Sequence, residues 1–405
     1  MSVNSKKPLR IALVTETYPP EINGVAHTCR QFVQGIRNQG HQVQLVRPHQ
    51  ASVDARQMYS DPQPVVVSSL PLPGYRGLQF GLPAARRLSK IWCQERPDVV
   101  HIVTEGPLGS SALRAARNLS VPVVSGFHTN FHQYTQHYRL GWLRPIVERY
   151  LRRFHNRCDL TLTPTKELAA RLNQLGIRRA RVLARGVDTC LFNPRRRSKA
   201  LRRQWGVNDD RHIVVLHVGR LAPEKNLALA IKAFFALRQD IPNARFVLVG
   251  DGPTAESLKA RHPDFVFAGT RRGIDLATYY ASADVFLFPS QTETFGNVIL
   301  EAMASGLAVV AFDYAAAGSY IQHGHNGLLA PVADEAAFIG ATRRLVREPG
   351  WHRQLGVQAR SSIRHLSWDH ICNELLEHYM YLLQSEGRGK RDIAESLMNV
   401  AMTSW

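Results

Sequence analysis

VFLFPSQTETFGNVILEAMASG, residues 285–306, carries most of the fold argument in one stretch. Four apolar residues, Val285–Phe288, stop at Pro289 and a polar loop follows. Val298, Ile299, Leu300, Ala302 and Met303 then recur at helical spacing until Gly306 closes the run. A short strand without alternation is one buried on both faces, and a helix fed directly by it is half of a βαβ unit.

The same pattern extends in both directions. Strand candidates upstream are Arg10–Glu16, Gln42–Pro48, Val65–Ser68, Val99–Thr104, Val121–His128, Leu160–Pro164 and Val182–Arg185. The second series is His212–Gly219, Arg245–Gly250, Phe265–Ala268, Val285–Pro289, Ala308–Phe312 and Gly327–Pro331. Between the series lies Asn193-Pro194-Arg195-Arg196-Arg197-Ser198-Lys199, a turn and then a basic run. The expectation is an α/β chain of two Rossmann-like domains with a cleft between them, strand C-termini facing in. Its parts are domain one at 1–192, a linker at 193–205 and domain two at 206–368. A helix at 369–384 returns to domain one, and 385–405 is a tail.

Composition narrows the class. A chain of 405 residues is long for a single core. Five cysteines, Cys29, Cys93, Cys158, Cys190 and Cys372, form no CxxC pair, which speaks against a disulfide framework or zinc site and for a reducing compartment. No apolar run reaches the ~18 residues of a membrane span, and the polar start predicts no leader. A cytoplasmic protein is expected. With 51 Lys+Arg against 32 Asp+Glu, a net charge of +19 favours phosphorylated ligands or an anionic surface.

Three loops in the second half concentrate chemistry. Glu293 and Glu301 bracket seven residues, and the N–H groups of Gly296, Asn297 and Val298 open a helix as an anion site. Ionised carboxylates beside such a site suit sugar hydroxyls, which donate to them. Taken singly, Glu293 reads equally as a capping acid and Glu301 as a solvated helix residue. The second loop, His217-Val218-Gly219-Arg220-Leu221-Ala222-Pro223-Glu224-Lys225-Asn226, puts Arg220 and Lys225 where they can clamp a diphosphate. The third, Gly250-Asp251-Gly252, lacks the last glycine of a dinucleotide fingerprint, against a dehydrogenase.

These segments, in this order and at these strand ends, resemble the donor domain of glycosyltransferase family 4, over roughly residues 9–382. The resemblance implies the GT-B fold and retention of anomeric configuration. It implies that Glu293 contacts donor-sugar hydroxyls, Glu301 the ribose, and Arg220 and Lys225 the diphosphate, while the backbone of Phe295, Gly296, Asn297 and Val298 faces sugar and phosphate. In domain one, Thr15-Glu16-Thr17-Tyr18-Pro19-Pro20-Glu21-Ile22-Asn23-Gly24-Val25 resembles the family's glycine loop. Asn23 stands where a first glycine is common, so a positive φ at Asn23 and phosphate approach at Gly24 are expected. His128, after strand 121–126, matches a histidine near the reacting centre; a structural histidine is the plain alternative. His128 and His132 have metal-like spacing but no Glu follows His128, and no Asp-x-Asp occurs, so neither a metal nor a cofactor is expected. No acid is placed as a covalent nucleophile, and the resemblance implies a front-face reaction in which the leaving phosphate helps deprotonate the acceptor.

On the acceptor side, the run 138–155 alternates cations with aromatic and aliphatic residues. From Pro145 it reads as a helix with Ile146, Tyr150 and Phe154 inward and Arg149, Arg152 and Arg153 outward, suited to a membrane interface or to an ordinary surface. The resemblance reaches bacterial GDP-mannose-type α-mannosyltransferases and glycolipid synthases. It implies a GDP- or UDP-sugar donor, a lipid or glycan acceptor, and a peripheral place on the inner membrane face; a soluble or polysaccharide acceptor is the alternative. A nucleic-acid-binding protein, suggested by charge alone, shows no module. A nucleotide-sugar epimerase, a phosphorylase and a two-carboxylate hydrolase are further rivals, the last disfavoured by the neighbouring cations.

Overall fold

The computed structural model describes residues 7–21, 23–50, 64–71, 79–128, 144–209 and 212–402, with backbone alone at 144 and 386–402. The chain divides into two compact units, Met1–Ala184 with Trp368–Trp405, and Arg185–Ser367.

Unit 1 holds a seven-stranded parallel sheet. Its strands are β1 (Arg10–Val14), β2 (Gln42–Pro48), β3 (Val65–Val67), β6 (Val99–Ile102), β7 (Val123–Gly126), β8 (Leu160–Thr163) and β9 (Ala180–Val182). Their order is β3-β2-β1-β6-β7-β8-β9, and an antiparallel pair, β4 (Ser69–Pro71) with β5 (Gln79–Gly81), stands apart. Successive residues of β1 feed opposite faces. Ile11 and Leu13 pack with Phe32 and Ile36 of helix Gly24–Asn38 and with Ile371, Leu375 and Tyr379 of helix Trp368–Met402. Ala12 and Val14 pack with Leu88, Trp92 and Leu108 on the other face. Residues 369–384, expected to return to domain one, are thus part of its core. Burial of this stripe, at roughly 25 cal/mol per Å² of apolar surface, is what docks the helix.

Unit 2 has six parallel strands, β10 (Val214–Val218), β11 (Arg245–Val249), β12 (Val266–Gly269), β13 (Val285–Phe288), β14 (Ala308–Phe312) and β15 (Leu328–Ala330), in the order β12-β11-β10-β13-β14-β15. This is the Rossmann order, and it reverses between β10 and β13, where ligands of such sheets bind. One aspartate device recurs in both units. Asp98, Asp159 and Asp284 each directly precede a strand, and each accepts the N–H that opens a strand beside it: Arg10 (2.7 Å), Val123 (2.8 Å) and Val214 (2.8 Å).

The stretch 193–205 does not behave as a linker. It forms the short turn Pro194–Arg196 and the helix Lys199–Gln204, both within unit 2. Arg197 and the buried Arg202 both donate to Asp284, at 2.7 and 2.9 Å. The basic run looks solvated in sequence because the carboxylate it serves lies eighty residues on.

Helix Arg144–Asn156 is present, but rotated from the expected phase. Leu151, Phe154 and His155 are buried, whereas Ile146 and Tyr150 are 61% and 43% exposed. Spacing alone could not separate the two stripes, since both have helical period. Arg149, Arg152 and Arg153 are exposed as expected. The segment 129–143, including His132 and the aromatic run before the helix, lies outside the described residues, as do Ile22 and the side chains of the tail. Among the described residues no helix is long and apolar enough to cross a membrane.

Candidate functional site

In unit 2 the predicted residues gather on the loops that leave β10 and β13. After β10 the chain turns through Gly219 and Arg220 into the turn Pro223–Lys225, then helix Leu227–Asp240. This loop is held from the side by the glycine turn after β11. The Gly219 N–H donates to Val249 O (3.0 Å), Leu221 N–H to Asp251 O (2.9 Å), and Thr254 N–H to Leu221 O (3.0 Å). A Cβ on Gly250 would lie 1.9 Å from the Gly219 carbonyl oxygen, and one on Gly252 would lie 2.4 Å from that of Leu221. The GxG pattern is therefore a close approach of two backbones, and it fixes the loop that presents Arg220.

Arg220 points outward, its side chain 58% exposed and 3.5 Å from Glu224. Lys225 turns inward: its ammonium pairs closely with Glu293 Oε1 and lies 5.8 Å above the ring of Phe288. Ser290, the second residue after β13, donates its hydroxyl to the same Glu293 oxygen at 2.8 Å. The loop Ser290–Phe295 is tied back by Thr292, whose hydroxyl donates to Glu224 O at 3.2 Å. Glu293 is thus a bridging acid between the two strand ends, not a helix cap.

Helix Asn297–Ala304 opens from Gly296 at φ 89° with no side-chain cap. Its first N–H groups are therefore left to a ligand or to water, and a left-handed residue there favours glycine. The ring of Phe295 is buried against Tyr320, and its carbonyl accepts from Ala316 N–H (2.8 Å). That contact seats the start of helix Ala315–Tyr320, whose first residue, Ala315, has φ 53°. One turn into the first helix, Glu301 accepts the Tyr280 hydroxyl at Oε2 (2.9 Å). Burial pushes the Glu301 carboxyl up to about 7, and the Tyr280 bond pulls the other way. Asn297 and Val298 occupy the first two positions of the same helix.

His217, on β10, was quoted in the sequence only as part of its loop. Its Nδ1–H donates to Leu287 O (3.1 Å), so Nε2 is the acceptor; it is buried with no hydrogen-bond partner among the described residues. Its ring stacks on Phe288, 6.0 Å away. Burial holds His217 down at about 4, so it is neutral beside Lys225. Ser290 and Tyr280 were missed altogether. Ser290 is inferable as the polar residue at a strand C-terminus, whereas Tyr280 lies in a mostly apolar helix and gives no local signal.

In unit 1 the corresponding strand ends carry Thr15, Glu16 and His128. His128 is half-buried, and a Cβ on Gly126 would meet its Nε2 at 2.4 Å, so the ring folds back over the end of β7. The expected positive φ at Asn23 is not found. Asn23 is extended (φ −152°) and caps helix Gly24–Asn38, its Oδ1 accepting from Ala26 N–H (2.8 Å). A side-chain cap does the work that backbone freedom was expected to do. Gly24 follows as the first, exposed residue of that helix, its carbonyl accepting from Thr28 (2.8 Å). Glu16 caps another helix, Pro107–Asn118, by accepting from Leu108 N–H (3.0 Å), and it also accepts from Gly81 N–H. Among the described residues no cluster of side chains could hold a metal ion.

Two parallel-sheet units of Rossmann type define the GT-B class of transferases. Family models match accordingly: "Glycosyltransferase Family 4" over residues 22–191 and "Glycosyl transferases group 1" over 212–348. The chain is 34% identical over 378 residues to a GDP-mannose-dependent alpha-mannosyltransferase of Mycolicibacterium smegmatis, covering 93% of this chain and 98% of that one. It is 29% identical over 316 residues to the alpha-monoglucosyldiacylglycerol synthase of Streptococcus pneumoniae, covering 75% of this chain and 71% of the other. HepE of Anabaena, solved in complex with UDP, shares the fold with a TM-score of 0.74 at 20% identity, over 92% of this chain and 100% of its own. The chain belongs to glycosyltransferase family 4 and is a retaining hexosyltransferase that uses a nucleotide sugar.

Proposed function

We propose that unit 2 binds GDP-mannose, or a closely similar nucleoside-diphosphate hexose, and that the hexose passes to a lipid acceptor at an anionic membrane surface. The observation that carries the donor site is the Lys225–Glu293–Ser290 cluster, which joins the ends of β10 and β13 at the point where the strand order reverses. Lys225 and Arg220 neutralise the diphosphate as it departs, when negative charge develops. The N–H groups that open helix Asn297–Ala304 add to this. Glu293 takes donor-sugar hydroxyls and Glu301 the ribose, because ionised carboxylates accept strongly from O–H donors. Phe295 and Gly296 shape the loop that brings this backbone to the sugar. In unit 1, His128 and Gly24 serve the reacting centre and the phosphate side. No residue is assigned as a covalent nucleophile; the leaving phosphate takes the acceptor proton while the protein orients reactants.

The mannosyltransferase named above supports the choice of GDP-mannose, and the diacylglycerol-directed relative supports a lipid acceptor. Exposed Ile146 and Tyr150 beside Arg149, Arg152 and Arg153 supply an apolar and basic face for a membrane's inner leaflet. The test of the donor site is calorimetric titration with GDP and UDP without divalent metal, repeated on Glu301→Ala and Arg220→Ala. Tight binding of GDP, weakened about tenfold or more in both variants, is expected. Binding of neither nucleotide, or parental binding by both variants, overturns the assignment.

A further inference from the structure

We propose that Tyr280 is the positioning residue of the nucleotide site: its hydroxyl fixes one oxygen of Glu301, so that the other oxygen is ready for a ribose hydroxyl. The inference rests on the assignment of Glu301 to the ribose made above.

The geometry is specific. Tyr280 lies on helix Gly273–Ser282 and is fully buried; its hydroxyl reaches Glu301 Oε2 at 2.9 Å. That is the one hydrogen bond of the Glu301 carboxylate among the described residues, and Oε1 makes none. The ring cannot swing away. Phe192 meets it edge-on at 5.5 Å and Phe286 of β13 packs at 5.8 Å. A phenol held this way donates along one line and costs little entropy to order on ligand binding.

The electrostatics point the same way. Glu301 is half-buried, with its carboxyl at the crowded end, and burial pushes it up to about 7. A neutral carboxylic acid is a poor acceptor for a hydroxyl, so the site needs the ionised form. The Tyr280 hydroxyl is the group that favours it. Other titratable side chains on the packed elements serve elsewhere. Arg271 binds Asp275 and covers the Tyr279 ring. Arg360 of helix Trp351–Ser362 donates to the carbonyls of Ala304 and Phe192. His352 faces Asp284 and Arg197, Arg353 is exposed, and the Tyr320 ring lies on Phe295. Among the described residues no cation stands beside Glu301 to do what Tyr280 does.

Tyr280→Phe removes one oxygen and leaves the packing intact, and thermal unfolding checks that it folds. The experiment is calorimetric titration with GDP and with UDP between pH 6 and 9, on the full chain, for parent, Tyr280→Phe and Glu301→Gln. Tyr280→Phe is expected to bind about tenfold more weakly than parent at pH 7 and to recover to within about twofold at pH 9, as Glu301 ionises unaided. Glu301→Gln is expected to bind weakly with no such recovery. Two results overturn the inference: parental binding by Tyr280→Phe at every pH, or a loss equal at every pH, which is the mark of a packing defect. If Glu301→Gln itself binds like the parent, the ribose assignment fails first and takes this inference with it.

Discussion

Alanine at Gly250 should cost far more than alanine at Gly273, although both glycines have φ in the left-handed half of the map. Gly250 has φ 137°, and an added Cβ would lie 1.9 Å from the Gly219 carbonyl oxygen and 2.9 Å from its carbon. Gly273 has φ 52° and nothing within 4 Å of the same position. Backbone strain alone, about 1–2 kcal/mol, applies to Gly273→Ala. Gly250→Ala adds the displacement of a packed backbone segment, roughly 2–3 kcal/mol more, because the obstacle is a carbonyl and not the end of a side chain. For a unit of this size about 1 kcal/mol is worth roughly 2–4 °C in Tm. Calorimetric melting should therefore show a loss of roughly 5 °C for Gly273→Ala and roughly 12 °C for Gly250→Ala. Nucleotide titration adds a second readout. Gly219 and Leu221, which flank Arg220, are tied to Val249 and Asp251 through the hydrogen bonds that the clash would break, so Gly250→Ala should also bind nucleotide poorly. Equal melting losses for the two variants, with nucleotide binding intact, would refute the close-approach account of the GxG turn.

Two further outcomes follow from unit 1. Burial raises the Glu16 carboxyl from 4.5 to about 7, so the folded state holds a proton that the unfolded chain releases, and stability falls as pH rises between those values. The loss amounts to about 3 kcal/mol, and Glu16→Gln should flatten that part of a urea-unfolding series run from pH 5 to 8; an unchanged slope sinks it. Ile146→Glu, on the exposed face of helix Arg144–Asn156, should cut co-sedimentation with anionic vesicles about tenfold, with GDP affinity unchanged. Equal sedimentation of parent and variant would remove that helix from the membrane reading.

The strands were legible because parallel sheets buried on both faces leave unbroken apolar runs; twelve of the thirteen expected runs hold most or all of a strand, while Val182–Arg185 meets β9 (Ala180–Val182) at Val182 alone. What escaped was partnership across long stretches of chain. Asp98, Asp159 and Asp284 look like ordinary loop acids, yet each binds a strand-opening N–H between thirty and ninety residues away. The Lys225–Glu293 pair was read as two separate functions because 68 residues separate them. Tyr280 was invisible because its ring satisfies the apolar pattern of its helix, while its hydroxyl answers to an acid 21 residues on. Asn23 was misread for the opposite reason: its tolerance of positive φ was weighed, and its strength as a helix cap was not.

The basic surplus can be sorted on the same principle. Part of the arginine content is already paired with acids. Arg197 and Arg202 converge on Asp284, Arg343 and Arg347 on Asp240, Arg117 and Arg179 on Asp159, and Arg238 on Asp264. These arginines staple turns and helix ends, and Arg238 also covers the Phe235 ring at 4.8 Å. Such cations are already satisfied, so they carry little of the field that would draw a polyanion. Arg149, Arg152 and Arg153 are different: they are exposed on one helix and form no ion pair among the described residues. A charge excess of +19 therefore says less than its location does. Set beside exposed Ile146 and Tyr150, these three arginines match a surface that is anionic and apolar at once. A nucleic acid would present the charge without the apolar layer, and it would leave Ile146 unburied on binding.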